Sequence, residues 1–248
     1  MEITFASCTA IFAIQFISFF IKGVAGFGDP LISSPLLALF LDNKYISPSN
    51  LLLGIPVNGY IAWKNRLAFS AKETVPILAF IMLGVVPGTI MLRYASSWVL
   101  KALLGILILG IGVEMITRDS SKAARRSSAV MAFVCFCSGV TSGLYGINLF
   151  FVAYMERTSK GREAFRGNMC FVFFIENIFR LVVYIIGGVI SKSLLLLTAV
   201  SLPGAALGFV FGTRIDRRLS ERGVRNVVIT MFMLGGFSVL IKALLFKS

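Results

Sequence analysis

The chain has no histidine and only 11 acidic residues among 248. Without histidine, no His-ligated zinc centre, Ser-His-Asp triad or Cys-His dyad can form. The four cysteines, Cys8, Cys135, Cys137 and Cys170, all lie within apolar runs, and the close pair Cys135 and Cys137 has no further ligands around it. They read as small packing residues, so neither a metal nor a cofactor is expected. Charge is scarce too: Asp, Glu, Lys and Arg make up 14% of the chain, whereas AVILMFWYC residues make up 57%. A soluble domain carries roughly a quarter charged residues, so that class is excluded. Disorder is excluded as well, because 23 Phe and a mean hydropathy of +0.89 cannot remain solvated. What remains is an integral membrane protein built from helices.

The 24 Lys and Arg give a net charge of +13, which in a soluble protein would suggest a nucleic-acid partner. Here they fall in short loops between apolar runs, the arrangement expected of cytoplasmic loops, and no basic helix interleaved with aromatics is present. No nucleic-acid partner is expected; the partner is the lipid bilayer. Met1-Glu2 lacks a positive n-region, so the first apolar run is expected to stay in the mature protein rather than act as a cleaved signal.

A membrane helix needs about 20 mostly apolar residues. Eight regions qualify: residues 3–41, 47–63, 75–92, 99–117, 129–156, 169–190, 194–213 and 224–246. The first and fifth contain GVAGFGDP and SGVTSGLYGIN, both rich in glycine, which costs a helix about 1 kcal/mol per residue relative to alanine. Each break either continues across the bilayer or turns back as a hairpin. If both turn back and the N-terminus is outside, sixteen Lys and Arg lie in inner loops and six outside; if all eight regions cross, the split is ten and twelve. The positive-inside rule therefore selects hairpins, with loops 64–72, 118–128, 157–166 and 214–225 cytoplasmic in the cell (inner) membrane. In the fifth region the arms are expected to run from Ala129 to Ser138 and from Ile147 to Met155, each about half a bilayer long. Ser47-Pro48 reads as the start of the next helix, and Trp63, Tyr94 and Trp98 as interfacial anchors.

Gly23-Val24 recurs as Gly139-Val140, and Pro87-Gly88 as Pro203-Gly204, both at an offset of 116. The expected organisation is two repeats, residues 1–117 and 129–248, joined by a cytoplasmic linker over 118–128, each a broken helical hairpin followed by three transmembrane helices. Five segments per half, counting hairpin arms, force the second half to insert upside down. Such inverted repeats characterise secondary transporters whose sites lie at mid-depth between broken segments. GVAGFGDPLISSPLLALFL and its counterpart GVTSGLYGINLFFVAY resemble the sulfite exporter TauE/SafE family of membrane permeases. The resemblance implies export or uptake of sulfite or an organosulfonate. Asp29 and Asn148 stand where relatives often carry more glycine.

An unwound stretch leaves backbone N–H groups at the start of the following arm, equivalent to about half a positive charge, and glycine lets a compact anion approach them. The expected anion contacts are Gly23, Gly26 and Gly28 in the first break and Gly139, Gly143, Gly146 and Asn148 in the second; close helix packing is the competing role for the glycines. Charges within a bilayer cost about 2.5 to 3.5 kcal/mol each and so are functional candidates. Glu176 and Arg180, four apart on one helix face, either form a self-neutralising pair or offer Arg180 to an anion. Lys22 is a second cationic candidate. Asp29 is open between a helix cap followed by Pro30 and a group that carries a coupling proton or pairs with Lys22; a coupling cation is the other option. Asn58 and Asn177 either line the site or bond between helices. No Walker A pattern is present, so energy comes from an ion gradient or the anion's own. Competing classes are an intramembrane enzyme using Asp29 and Glu176 on a lipid headgroup, disfavoured by the absence of histidine, and a passive anion channel. The oligomeric state stays open between monomer and homodimer.

Overall fold

A computed structural model describes residues 5–68, 71–117, 128–158 and 162–215, together with Phe237 and Ile241. Among the described residues the chain is all helical: α1 (Phe5–Ala25), α2 (Asp29–Ala38), α3 (Asn43–Lys64), a single 3₁₀ turn (Arg66–Ala68), α4 (Ala71–Tyr94), α5 (Ser97–Thr117), α6 (Ser128–Tyr145), α7 (Leu149–Thr158), α8 (Arg162–Ile186) and α9 (Lys192–Ile215). Among the described residues, five stretches are long and apolar enough to cross a membrane: Ser7–Ala25, Thr74–Tyr94, Ser128–Tyr145, Phe165–Ile186 and Lys192–Ile215. Of the eighth expected span, 224–246, only Phe237 and Ile241 are described, and of the expected linker, 118–128, only Ser128, which begins α6. α3 begins before Ser47: the Asp42 carboxylate accepts the Lys44 amide at 3.1 Å and the Asp42 carbonyl accepts the Ile46 amide at 3.2 Å, so Asp42 starts the helix.

The described helices group into two compact units. One comprises Met1–Leu53, Ala95–Arg118 and Ile190–Ser248, and there α1 packs on α9 and α2. The other comprises Gly54–Tyr94 and Asp119–Val189, and there α4 packs on α6 and α8. α3 gives its first half to one unit and its second half to the other.

Within each unit the broken region is a hairpin. The Phe151 amide on α7 donates to Ser138 Oγ on α6 at 3.2 Å. A helix continuing straight would hold two residues so spaced about 20 Å apart. In the other unit, Gln15 of α1 and Ser33 of α2 both bond Asn50, at 3.0 and 2.9 Å. Helix directions agree. Gly84 and Gly88 of α4 meet Phe136 and Val140 of α6 in ascending order, so the two run parallel. The ends of α4 and α8 also lie together, with Arg93 Nη2 3.9 Å from where a Cβ on Gly188 would sit. With α4, α6 and α8 parallel, α7 must run back between α6 and α8.

The breaks are narrower and later than the glycine content suggests. α6 does not stop near Ser138: it runs 18 residues, about 27 Å, to Tyr145. α7 is 10 residues long, so the arms are unequal. Glycine costs α6 less than its propensity implies because the bare backbone is filled by a neighbour. A Cβ on Gly143 would come within 2.6 Å of Val85 O, 2.9 Å of Thr89 N and 3.0 Å of Gly88 C on α4. One on Gly23 of α1 would meet Phe209 O and Thr213 N at 2.8 Å and Gly212 Cα at 2.9 Å on α9. The same three kinds of position recur in the same order. Equally, Gly208 and Gly212 abut the carbonyls of Phe16 and Phe20, as Gly84 and Gly88 abut those of Phe136 and Val140.

These correspondences run at other offsets than the recurring dipeptides. Gly26 and Gly146 both have positive φ, 87° and 75°, and close their helices with amides that donate to Lys22 O at 2.7 Å and Ser142 O at 2.8 Å. The breaks thus align at an offset of 120, matching GVAGFG to GLYGIN, and the glycines of α4 and α9 align at 124. The dipeptides Gly23-Val24 with Gly139-Val140, and Pro87-Gly88 with Pro203-Gly204, share an offset of 116 but not a structural position.

Candidate functional site

The first break is Gly26-Phe27-Gly28. Gly28 has φ 100° and is the residue before α2; Asp29 is the first helical residue and Pro30 follows it in the first turn. Asp29 is therefore not the cap. Its side chain reaches back to α1, where Lys22 Nζ donates to Oδ1 at 2.7 Å, both residues being buried. The Phe19 ring also faces the ammonium, 5.7 Å from centroid to Nζ. A ladder of neutral groups continues from there: Ser33 Oγ donates to Asp29 O at 2.8 Å, Asn50 Nδ2 to Ser33 Oγ at 2.9 Å and Gln15 Nε2 to Asn50 Oδ1 at 3.0 Å. Of the roles left open for Asp29 by the sequence, pairing with Lys22 is the one present here, and it neutralises both charges locally.

The second break, Gly146-Ile147-Asn148, has no charge of its own, and α8 supplies two. Ser142, fully buried in the last turn of α6, donates through Oγ to Glu176 Oε1 at 2.7 Å. Arg180 Nη1 donates to both Ser142 Oγ and Ser142 O at 2.6 Å, and Asn148 Nδ2 donates to Ser142 Oγ at 3.1 Å and to Glu176 Oε2 at 3.4 Å. Arg180 Nη2 donates to Asn177 Oδ1 at 3.1 Å. The direct contact of Arg180 Nη1 with Glu176 Oε1 is longer, 3.7 Å. Arg180 and Glu176 are therefore not simply a closed pair; both converge on Ser142, and Glu176 also reaches Asn148 just before α7. Tyr184, one turn on, donates to Gly143 O at 2.8 Å, so two side chains of α8 hold the last carbonyls of α6.

Electrostatically this is a site in which a carboxylate is lodged among donors. Glu176 is 0% exposed and Arg180 3%. A buried charge survives only when paired and hydrogen-bonded, which Ser142, Asn148 and Arg180 achieve together for Glu176. Arg180 Nε, however, is buried with no partner, as are Asn58 Oδ1 and Thr89 Oγ1 of the same unit.

Of the glycines named from the sequence, Gly26, Gly28 and Gly146 form the breaks, while Gly23, Gly139 and Gly143 lie inside helices against a neighbouring backbone. Close packing, the competing role, fills the space where a side chain would stand on those three. Asn58 lies on α3 beside Gly59, which abuts the Phe174 ring of α8. Ser142, Ser138 and Tyr184 were missed. Their signal was available: Ser138 and Ser142 are four apart, one face of a helix, but only if SGVTSG is read as helical.

The family profile of the sulfite exporter TauE/SafE family matches residues 11–239. The chain belongs to that family. Membership makes it a multi-pass membrane transporter of the sulfite-exporter type, the apolar helices being those that the bilayer requires. No curated protein and no solved structure matches the chain.

Proposed function

We propose that this TauE/SafE member is a secondary transporter of a small sulfur oxyanion, sulfite or an organosulfonate, and that the anion binds at the second break on Ser142, Asn148 and Arg180. The observation that carries this reading is that the Glu176 carboxylate already occupies these donors: a planar oxyanion is held by a hydroxyl, an amide and a neighbouring guanidinium in a buried position. An incoming anion would take the same donors once Glu176 gives them up. Protonation of Glu176 removes its charge and its claim on them, so a proton bound there accompanies the anion. Glu176 fits this role better than Asp29, which Lys22 holds at 2.7 Å.

The two copies of the break are read as inverted repeats, residues 1–117 and 129–248, with the N-terminus outside in the inner membrane. The recurrence of the Gly26 turn at Gly146 and of the Gly23 packing at Gly143 supports a repeat. Five helical segments per half then demand opposite insertion.

Equilibrium binding of labelled sulfite to the detergent-solubilised protein tests the site. Saturable binding that is lost in Arg180→Gln and kept in Lys22→Met paired with Asp29→Leu supports it. Binding unchanged in Arg180→Gln refutes it.

A further inference from the structure

Thr89 lies on α4, 3% exposed, and its hydroxyl has no hydrogen-bond partner among the described residues. That is unusual for a hydroxyl within a helix, which can always donate to the carbonyl three or four residues back. Other hydroxyls of this chain do so: Ser18 to Ile14 O at 2.7 Å, Ser33 to Asp29 O at 2.8 Å and Thr198 to Leu194 O at 2.9 Å. Most telling is Thr213, which stands on α9 where Thr89 stands on α4, each with its backbone N against the space where a Cβ on the packed glycine would sit. Thr213 Oγ1 donates to Val210 O at 3.0 Å. Thr89 leaves the same option unused in a buried position, where an unmade bond is costly.

Its surroundings say what would satisfy it. Thr89 N is 2.9 Å from where a Cβ on Gly143 would sit, so Thr89 lies against the Ser142-Gly143 segment that Arg180 and Tyr184 hold from α8. Arg180 Nε is also a buried donor without a partner. Two unused donors, one on α4 and one on α8, thus flank the same turn of α6. Donors without acceptors, one of them cationic, fit the oxygens of an anion.

Resting on the second break as the anion site, we propose that Thr89 is a further substrate contact: its hydroxyl donates to one oxygen of the bound oxyanion while Arg180 Nε donates to another. The requirement for two oxygens makes the site selective for an oxyanion over a halide.

The test is sulfite binding and thermal unfolding of purified Thr89→Val, Thr89→Ser, Arg180→Gln and, as a control in the other unit, Ser201→Ala. Valine keeps the shape of threonine and removes an unpaired hydroxyl, so without anion Thr89→Val melts at or above the wild-type temperature. With sulfite it binds about tenfold more weakly, the worth of one hydrogen bond to a charged ligand, and sulfite raises its melting temperature less. Thr89→Ser binds within about twofold of wild type and Ser201→Ala is unchanged. Chloride at equal concentration does not displace sulfite. If Thr89→Val binds sulfite like wild type while Arg180→Gln does not, Thr89 is no contact and the anion site stands. If neither variant weakens binding, the site itself is wrong and Thr89 falls with it. Should Thr89→Val not fold, Thr89→Ala, which adds no atoms, gives the same binding readout.

Discussion

Ser142 occupies the position in the second break that Lys22 occupies in the first: each accepts, through its carbonyl, the amide of a glycine four residues on, Gly146 at 2.8 Å and Gly26 at 2.7 Å. One turn of backbone therefore carries a cation in one copy and a hydroxyl in the other. In the first copy the charge is answered within the hairpin by Asp29; in the second, both charges arrive from α8 as Glu176 and Arg180. The first is a local lock within one hairpin, whereas the second ties α8 to the end of α6 and to Asn148 in the break.

The lock gives a sign-specific expectation. Asp29→Leu alone leaves a buried ammonium unpaired and destabilises the protein by about 3 kcal/mol, whereas Lys22→Met with Asp29→Leu restores most of that. Thermal unfolding of both singles and the double in detergent measures the coupling. Additive single effects would show that the pair is not buried as described.

Glu176→Gln separates binding from coupling. A neutral amide no longer competes as an anion for Ser142 Oγ and Asn148 Nδ2. In the wild type a proton gradient drives accumulation of methanesulfonate in proteoliposomes, and in Glu176→Gln it does not. Accumulation that a proton gradient still drives in Glu176→Gln would move the proton elsewhere.

Gly139→Ala and Gly212→Ala probe the packing. Each added methyl meets the backbone of a neighbour, Ile81 O for Gly139 and Phe20 O for Gly212, rather than a movable side chain. Overpacking of this kind costs about 1 to 3 kcal/mol. Gly110→Ala, with nothing within 4 Å, has no such cost. Melting temperatures compare the three directly.

Much of the fold was legible because membrane helices are written in composition: the apolar runs and the two glycine-rich breaks follow from residue type and spacing, whereas the pairing of Lys22 with Asp29 was one of several roles left open for Asp29. The extent of α6 was not. Propensity counts the cost of Gly139 and Gly143 but not the neighbour that fills the space beside them, and that neighbour, α4, is some 50 residues away in the chain. Missing it ended the leading arm of the second hairpin at Ser138, whereas α6 runs on to Tyr145. Glu176, Arg180 and Asn148 were readable as polar residues out of place. Ser142 and Thr89 were not, since a hydroxyl in a helix is unremarkable until its partner, or lack of one, is seen.

The direction of α8 is checked by labelling single cysteines in a background lacking the native thiols. Tyr94→Cys, at the end of α4, and Ile190→Cys, just beyond α8, react with an impermeant reagent from one side of the membrane, and Lys64→Cys from the other. Ile190→Cys reacting on the side of Lys64→Cys would mean that α6 and α7 cross the bilayer as one element.

The most direct measurement is counterflow of labelled sulfite into proteoliposomes preloaded with unlabelled sulfite. The wild-type protein should give saturable counterflow, inhibited by methanesulfonate and abolished by Arg180→Gln, while the Lys22→Met and Asp29→Leu double variant retains it. Counterflow that persists undiminished in Arg180→Gln would contradict the assignment of the second break as the place where the anion is carried.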